Sequence, residues 1–198
     1  MRVRSVHRVI GILLFIPFFG WALTGLVFFI KPGYEGAYEP LAPKTYPMTA
    51  GLPITSDPDW LELRSLRTVL GDHLLVRTKS GWIQLDPINK QQRNLPSEED
   101  LRNLLKDAFT VNPQRYGAIS TVNGTTVTTN TGVEVTLDWN RMSLQQKGRD
   151  TDRIDRLYRI HYLQWTGVKS IDRVLGFVGI VLVLVLTSLG GWLVLKRG

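Results

Sequence analysis

One histidine lies in the middle of an apolar, aromatic stripe, and its position raises the first question of chemistry. Residues 152–167 read D-R-I-D-R-L-Y-R-I-H-Y-L-Q-W-T-G. At helical spacing, one face collects Ile154, Leu157, Tyr158, His161, Tyr162 and Trp165. An imidazole on such a face is either an axial ligand of haem or an interfacial side chain with one satisfied hydrogen bond. The residues alone leave both interpretations of His161 open.

Two further histidines complete the set. His7 precedes a long apolar run in R-S-V-H-R-V-I-G, and Gly11, one helical turn on, leaves the surface beside the imidazole open for a bulky group. His7 is therefore a second candidate ligand, and the alternative is a polar residue facing lipid headgroups. His73 heads a β-rich run, which predicts a surface or edge residue and no ligand role.

Two uncharged runs must position these histidines. Residues 9–30 and 174–195 carry no charged side chain. Each run would extend about 33 Å as a helix, which is enough to cross the hydrocarbon core of a bilayer. No A-x-A-like cleavage site follows the first run closely, so we interpret it as an uncleaved anchor.

The flanking charges predict the orientation of both spans. Arginines precede the first run, and Lys196 and Arg197 follow the second, so both termini should be cytoplasmic. Of the 24 basic residues, 5 flank the spans, and the other 19 face all 17 acidic residues in between, giving 19 − 17 = +2 for the central part. The formal charge of +7 therefore reflects membrane orientation and does not support nucleic-acid binding.

The central part predicts an α+β domain built from a repeated unit. Residues 68–86 and 121–138 each contain short β-rich runs, Gly turns and a closing Leu-Asp pair. A helix with Ser97 as its N-cap and a stripe of Leu101, Leu104, Leu105 and Phe109 separates them. Residues 57–66 should form a shorter helix before the first unit.

The predicted order is a cytoplasmic N-terminus (1–8), a transmembrane helix (9–30), a linker (31–57), a duplicated periplasmic helix-plus-antiparallel-sheet domain (58–147), an amphipathic interfacial helix (150–167), a second transmembrane helix (170–195) and a cytoplasmic tail (196–198).

Several kinds of chemistry are excluded or unsupported. The sequence has no cysteine, which excludes thiolate metal sites and iron–sulfur clusters. Acidic residues at 98–100 fall at a predicted helix start, where they complement the helix dipole. No Ser/His/Asp nucleophile pattern, H-E-x-x-H motif or glycine-rich phosphate loop is present. The central domain therefore does not resemble a hydrolase.

The chain resembles the PepSY-associated transmembrane family. The motifs that carry this resemblance are H-R-V-I-G at 7–11, Thr24-Gly25 in the first span, the Leu-Asp turns, R-L-Y-R-I-H at 156–161 and T-S-L-G at 187–190. The repeated middle section is similar to PepSY domains. The resemblance implies an inner-membrane protein associated with iron or siderophore uptake, in a family where some members are haem-containing ferric-siderophore reductases.

The resemblance also implies which residues hold a cofactor. His7 and His161 match the family positions, so they are the candidate ligands of a b-type haem iron, and no other metal site is implied. Larger relatives have more spans and more histidines, whereas here the two imidazoles should lie about 30 Å apart at opposite membrane faces. Such a site would need a second copy of the chain or another inner-membrane subunit. The alternative is a non-enzymatic, membrane-anchored module whose domain contacts a peptide, protease or transporter.

Overall fold

The chain folds into two compact units and passes between them twice. The computed structural model describes residues 3–48 and 57–196. One unit, here called the helical unit, takes the chain up to Tyr34 and from Thr151 onward, and the other, the sheet unit, is Glu35–Asp150. The elements in chain order are α1 (Val3–Ile30), α2 (Tyr34–Ala37), β1 (Glu62–Thr68), β2 (Gly71–Thr78), β3 (Gly81–Leu85), α3 (Glu98–Phe109), α4 (Pro113–Tyr116), β4 (Ile119–Asn123), β5 (Thr126–Thr129), β6 (Glu134–Asp138), β7 (Ser143–Lys147), α5 (Arg149–His161) and α6 (Lys169–Leu195). The fold class is α+β, as predicted.

The helical unit is dominated by two long apolar helices that pack against each other, α1 and α6. Both are long and apolar enough to cross a membrane, with mean hydropathies of 2.2 and 2.5 over their most apolar stretches. Only 11% of that stretch in α1 and 6% in α6 is buried inside the protein. The core helix of a soluble protein buries most of its apolar surface, so these exposed faces are compatible with contact with a lipid bilayer.

The ends of these helices differ from the predicted bounds. Helix α1 begins at Val3, so His7 is already helical. Helix α5 ends at His161, six residues before the predicted end of the interfacial helix, and residues 162–168 connect it to α6. The predicted termini at residues 1, 2, 197 and 198 lie outside the described residues.

The sheet unit contains two antiparallel sheets. The first has the strand order β1-β2-β3 and the second β4-β5-β6-β7. Helix α3 has the predicted N-cap, Ser97, whose side chain accepts a hydrogen bond from the Asp100 N–H. Its apolar stripe is buried as predicted, with Leu104 and Leu105 fully inaccessible to solvent. These leucines share one core with side chains from both sheets.

The predicted helix over 57–66 is wrong. Residues 58 and 59 form a turn, and Glu62–Thr68 is strand β1, which pairs along its whole length with β2. Trp60, Leu63 and Leu66 have the spacing of a helical face, but so short an apolar set does not distinguish a helix from a strand. The antiparallel ladder with β2 satisfies the backbone groups of this segment and decides its structure.

Part of the predicted linker packs against the sheet unit. Ala37 and Leu41 are buried, and Leu41 belongs to the main core of the sheet unit. The Tyr46 N–H donates to the Arg67 carbonyl at 2.9 Å, which fastens the chain beside β1. Residues 49–56 of the predicted linker lie outside the described residues.

The two predicted repeats share several features. Residues 68–86 contain the end of β1 with the hairpin β2–β3, and residues 121–138 contain most of β4 with β5 and β6. Each segment ends in a buried leucine, Leu85 or Leu137. The aspartate after each leucine caps a turn: Asp86 accepts from the N–H groups of Ile88 and Asn89, and Asp138 accepts from that of Arg141. The duplication itself stays a prediction, since the first sheet lacks a preceding helix and the second has a fourth strand.

Candidate functional site

His161 is held by a hydrogen bond from α5 to the C-terminal part of α1. Its Nδ1 lies 2.9 Å from the Thr24 hydroxyl, which itself donates to the Gly20 carbonyl at 2.6 Å. A hydroxyl has one proton, so Thr24 must accept from the imidazole, and Nδ1 carries the hydrogen. The lone pair of neutral His161 is therefore on Nε2, for which the described residues supply no hydrogen-bond partner.

Aromatic rings enclose the His161 imidazole. The rings of Phe28 and Tyr162 approach it edge-on, with centroids 5.1 and 5.3 Å away. Tyr158 stacks on Phe28 at 4.6 Å and on Tyr162 at 6.1 Å. These contacts fix the ring plane, so His161 is an oriented imidazole with one free nitrogen.

His7 packs against α6 at a glycine. A Cβ atom added at Gly190 would lie 3.3 Å from His7 Cε1, so the missing side chain makes room for the imidazole. His7 Nδ1 is buried, and none of the described residues hydrogen-bonds to it. The space expected beside Gly11 is not open, because a Cβ there would lie 3.8 Å from Leu186 Cδ1 of α6. His7 therefore lies where α1 packs against α6, and its buried Nδ1 has no hydrogen-bond partner among the described residues.

The two candidate ligands lie at opposite ends of the helical unit. His161 contacts Thr24, which follows His7 by 17 residues on α1, and a helical rise of about 1.5 Å per residue separates the sites by about 26 Å. The described residues contain no group of three or more metal-ligating His, Cys, Asp or Glu side chains. Haem fits in part: one protomer offers one imidazole at each end, and His161 has the donor chemistry of an axial ligand.

The prediction for His73 is wrong. His73 is fully buried in β2, although it was expected at a surface or edge. Its Nε2 lies 2.7 Å from the Thr68 hydroxyl, and its Nδ1 accepts from Arg93 at 3.1 Å and from the Gln84 amide. Burial, and secondarily the Arg93 charge, lowers the pKa of His73 to about 4. His73 is therefore neutral at physiological pH.

A polar groove, here called the Arg93 groove, opens beside this histidine. Its volume is about 650 Å³, and its polar lining includes Asn94, Asn103 and Lys106. Arg93 lies 5.6 Å from the ring centroid of Trp139, which also lines the groove. The indole Nε1 of Trp139 is buried without a hydrogen-bond partner among the described residues. Sequence spacing does not predict this groove, because its lining residues come from four separate segments.

The acidic residues at the start of α3 make local contacts that stabilise the first turns of this helix. Asp100 accepts a hydrogen bond from the Ser97 hydroxyl at 2.7 Å, and Glu98 pairs with Arg102 one turn on at 2.8 Å. Both contacts are local to the first turns of α3. The interpretation of these carboxylates as helix-start residues is confirmed.

Comparison with family models, with curated proteins and with solved structures gave no match. The resemblance to the PepSY-associated family therefore stays a prediction from its motifs. Function is inferred below from the geometry of the histidines and of the Arg93 groove.

Proposed function

We propose that this protein is a PepSY-type inner-membrane hairpin of iron or siderophore uptake, in which His161 is an axial ligand of a b-type haem. Both termini would be cytoplasmic, with residues 31–170 in the periplasm. A second copy or another inner-membrane subunit would complete the site. The observation that carries this proposal is the hydrogen bond from His161 Nδ1 to Thr24, which leaves Nε2 free.

The Thr24 contact is the support expected for a metal-binding imidazole. Such histidines almost always donate their other ring N–H to a fixed acceptor, which sets the tautomer and the ring orientation. Thr24 is 4% exposed, and its own proton is committed to Gly20, so its acceptor role is fixed. A histidine that only faced headgroups would not need this arrangement.

The surrounding residues suit an electron-transfer role more than catalysis on a bound substrate. When bound, haem supplies a one-electron iron centre. His161 would hold and orient it, while Phe28, Tyr158 and Tyr162 would limit water access around the imidazole. His7, about 26 Å away along α1, would belong to a separate site at the other membrane face.

Haem absorbance of the purified full-length protein tests the role of His161. Protein from haem-replete cells should show a Soret band that shifts on reduction. His161→Ala and His161→Phe should both lose the band, while His7→Ala should keep it. A colourless wild type, or a His161→Ala variant with an unchanged band, would refute the ligand role.

A matched pair at Thr24 tests the supporting contact. Thr24→Val removes the acceptor at nearly constant volume, and Thr24→Ser keeps it. Loss of the group that accepts the other ring N–H of a metal-binding histidine commonly weakens metal binding about 10–100-fold. We therefore expect weakened haem retention in Thr24→Val alone, and equal retention in the two variants would argue against the proposed tautomer.

Reporter fusions test the proposed topology. A reporter fused after Lys31 should be periplasmic and one fused after Gly198 cytoplasmic, because the basic flanks favour the cytoplasm. Reporters on the same side would overturn the hairpin.

The Arg93 groove favours a second candidate, a non-enzymatic module that binds a peptide, protease or transporter. It combines exposed Lys106, the amides of Asn94 and Asn103, and the unpartnered indole N–H of Trp139. A photocrosslinker at Asn103 should then capture a partner in cells, whereas one at the exposed control position Ile88 should not. Equal capture at both positions, or none at either, would count against this candidate.

A further inference from the structure

A second groove lies within the helical unit, where α5 passes into α6. We call it the connector groove. It encloses about 940 Å³ and is lined by residues from 159 to 180, among them the last turn of α5 and the first three turns of α6. Tyr162 lines this groove and also contacts His161, whereas Phe28 and Tyr158 do not line it. The following inference rests on other residues of the groove and does not require haem at His161.

One side of the connector groove is cationic. Arg159, Lys169 and Arg173 line it, and none of the three forms an ion pair with a described residue. The groove also contains Asp172, but this carboxylate is 8% exposed and is occupied by Thr166, whose N–H and hydroxyl donate to it at 2.9 and 2.7 Å. Three cations and one carboxylate leave the groove lining with a net charge of 3 − 1 = +2, which favours an anionic ligand.

The other side of the groove is apolar and exposed. Gly176 lines the groove on α6, and Phe177 and Ile180 beside it are 69% and 57% exposed. Trp165, at the rim, is 52% exposed, and tryptophans are enriched at the depth of lipid headgroups. The groove therefore passes from a cationic end to an apolar end over the first turns of an apolar helix.

We propose that the connector groove binds one anionic phospholipid. Arg159, Lys169 and Arg173 hold the phosphate, and an acyl chain lies along Gly176, Phe177 and Ile180. Charge complementarity selects an anionic headgroup over a zwitterionic one. The apolar floor selects a lipid over free phosphate, because phosphate would leave that surface exposed to water.

Native mass spectrometry of the full-length protein in detergent tests this proposal. The probes are phosphatidylglycerol, phosphatidylcholine and inorganic phosphate. We expect one retained phosphatidylglycerol per chain and weaker binding of the other two probes. Equal retention of phosphatidylcholine would overturn the charge selection, and equal binding of phosphate would overturn the lipid assignment.

A pair of charge-matched double variants locates the site. Arg159→Gln with Arg173→Gln removes two groove cations, and Arg153→Gln with Arg156→Gln removes two exposed α5 cations outside the groove. A basic residue near an anionic lipid surface contributes about 5-fold in affinity, so the groove variant should bind phosphatidylglycerol about 25-fold more weakly. The control variant should bind like the wild type. An equal loss in both variants would mean that the attraction is only general electrostatics and would overturn the proposal.

Discussion

Acidification should destabilise the sheet unit through His73. The imidazole is buried and accepts hydrogen bonds at Nδ1 from Arg93 and Gln84, so a proton on Nδ1 would face two donors. Its pKa in the folded protein is about 4, against about 6.5 for an unperturbed histidine. The unfolded state therefore binds a proton first as the pH falls, and this favours unfolding.

The size and pH window of the effect follow from that difference. A gap of about 2.5 pKa units at about 1.4 kcal/mol per unit corresponds to about 3 kcal/mol. No penalty exists above pH 6.5, the loss grows as the pH falls towards 4, and it is complete below 4. Asp86 acts in a different window: hydrogen bonds from Asn89 and Ile88 lower its pKa, so its contribution is lost only below its usual range.

Carbon-13 labelling of the imidazoles can measure this pKa in the full-length protein. The chain has 3 histidines, so His7→Gln and His161→Gln variants assign the signals. We expect one imidazole to titrate near pH 4. Amide hydrogen exchange in β2 should accelerate between pH 6.5 and 4 after correction for the intrinsic exchange rate.

An Arg93→Gln variant separates the two causes of the shift. Removing the nearby positive charge should raise the pKa of His73, but burial is the larger cause, so the pKa should stay below 6.5. The reasoning would be refuted if His73 titrated near 6.5 in the wild type, or if the protection of β2 were unchanged between pH 7 and 4.5.

Substitutions of three kinds in the sheet unit test a core side chain, a helix cap and two glycine turns. Leu104→Ala should lower the free energy of unfolding by about 2–5 kcal/mol, since this fully buried side chain leaves a cavity; a change under 1 kcal/mol in denaturant titration would contradict its core position. Ser97→Ala should cost about 1 kcal/mol by removing the N-cap, and Ser97→Asp should restore it. Gly117→Ala should cost more than Gly124→Ala: both glycines have φ near +60°, but a Cβ at Gly117 would collide with Asn130 Oδ1, whereas the one at Gly124 meets open space. Equal thermal shifts for the two glycine variants would mean that the Asn130 side chain moves away freely.

The features that sequence predicted well depend on local patterns. Ser97 before an acidic turn and a leucine stripe identifies α3, because capping and amphipathic spacing act within a few residues. The apolar runs identify α1 and α6 for the same reason. Strand β1 was predicted as a helix because its structure depends on pairing with β2, a contact that spacing within the segment does not encode.

The sites were harder to predict than the elements. His73 is followed by Leu74, Leu75 and Val76, and a continuous apolar run indicates a strand covered on both faces; that signal could have predicted its burial. The Thr24 contact of His161 joins residues 137 positions apart, so no sequence spacing could reveal it. The sequence identifies His161 as a candidate ligand, but the tautomer of its imidazole follows only from the packing of α5 against α1.

The pairing of α1 with α6 has a consequence for biosynthesis. Residues 31–168 separate the two helices, and a ribosome adding about 5–20 residues per second needs on the order of 7–28 seconds to make them. In the proposed membrane topology, Thr24 would tolerate lipid during that interval, because its hydroxyl donates to the Gly20 carbonyl of its own helix. The contact of His161 with Thr24 forms only after α5 is made, and that of His7 with Gly190 only after α6 is made. A product that ends before α5 would therefore contain α1 without either imidazole site.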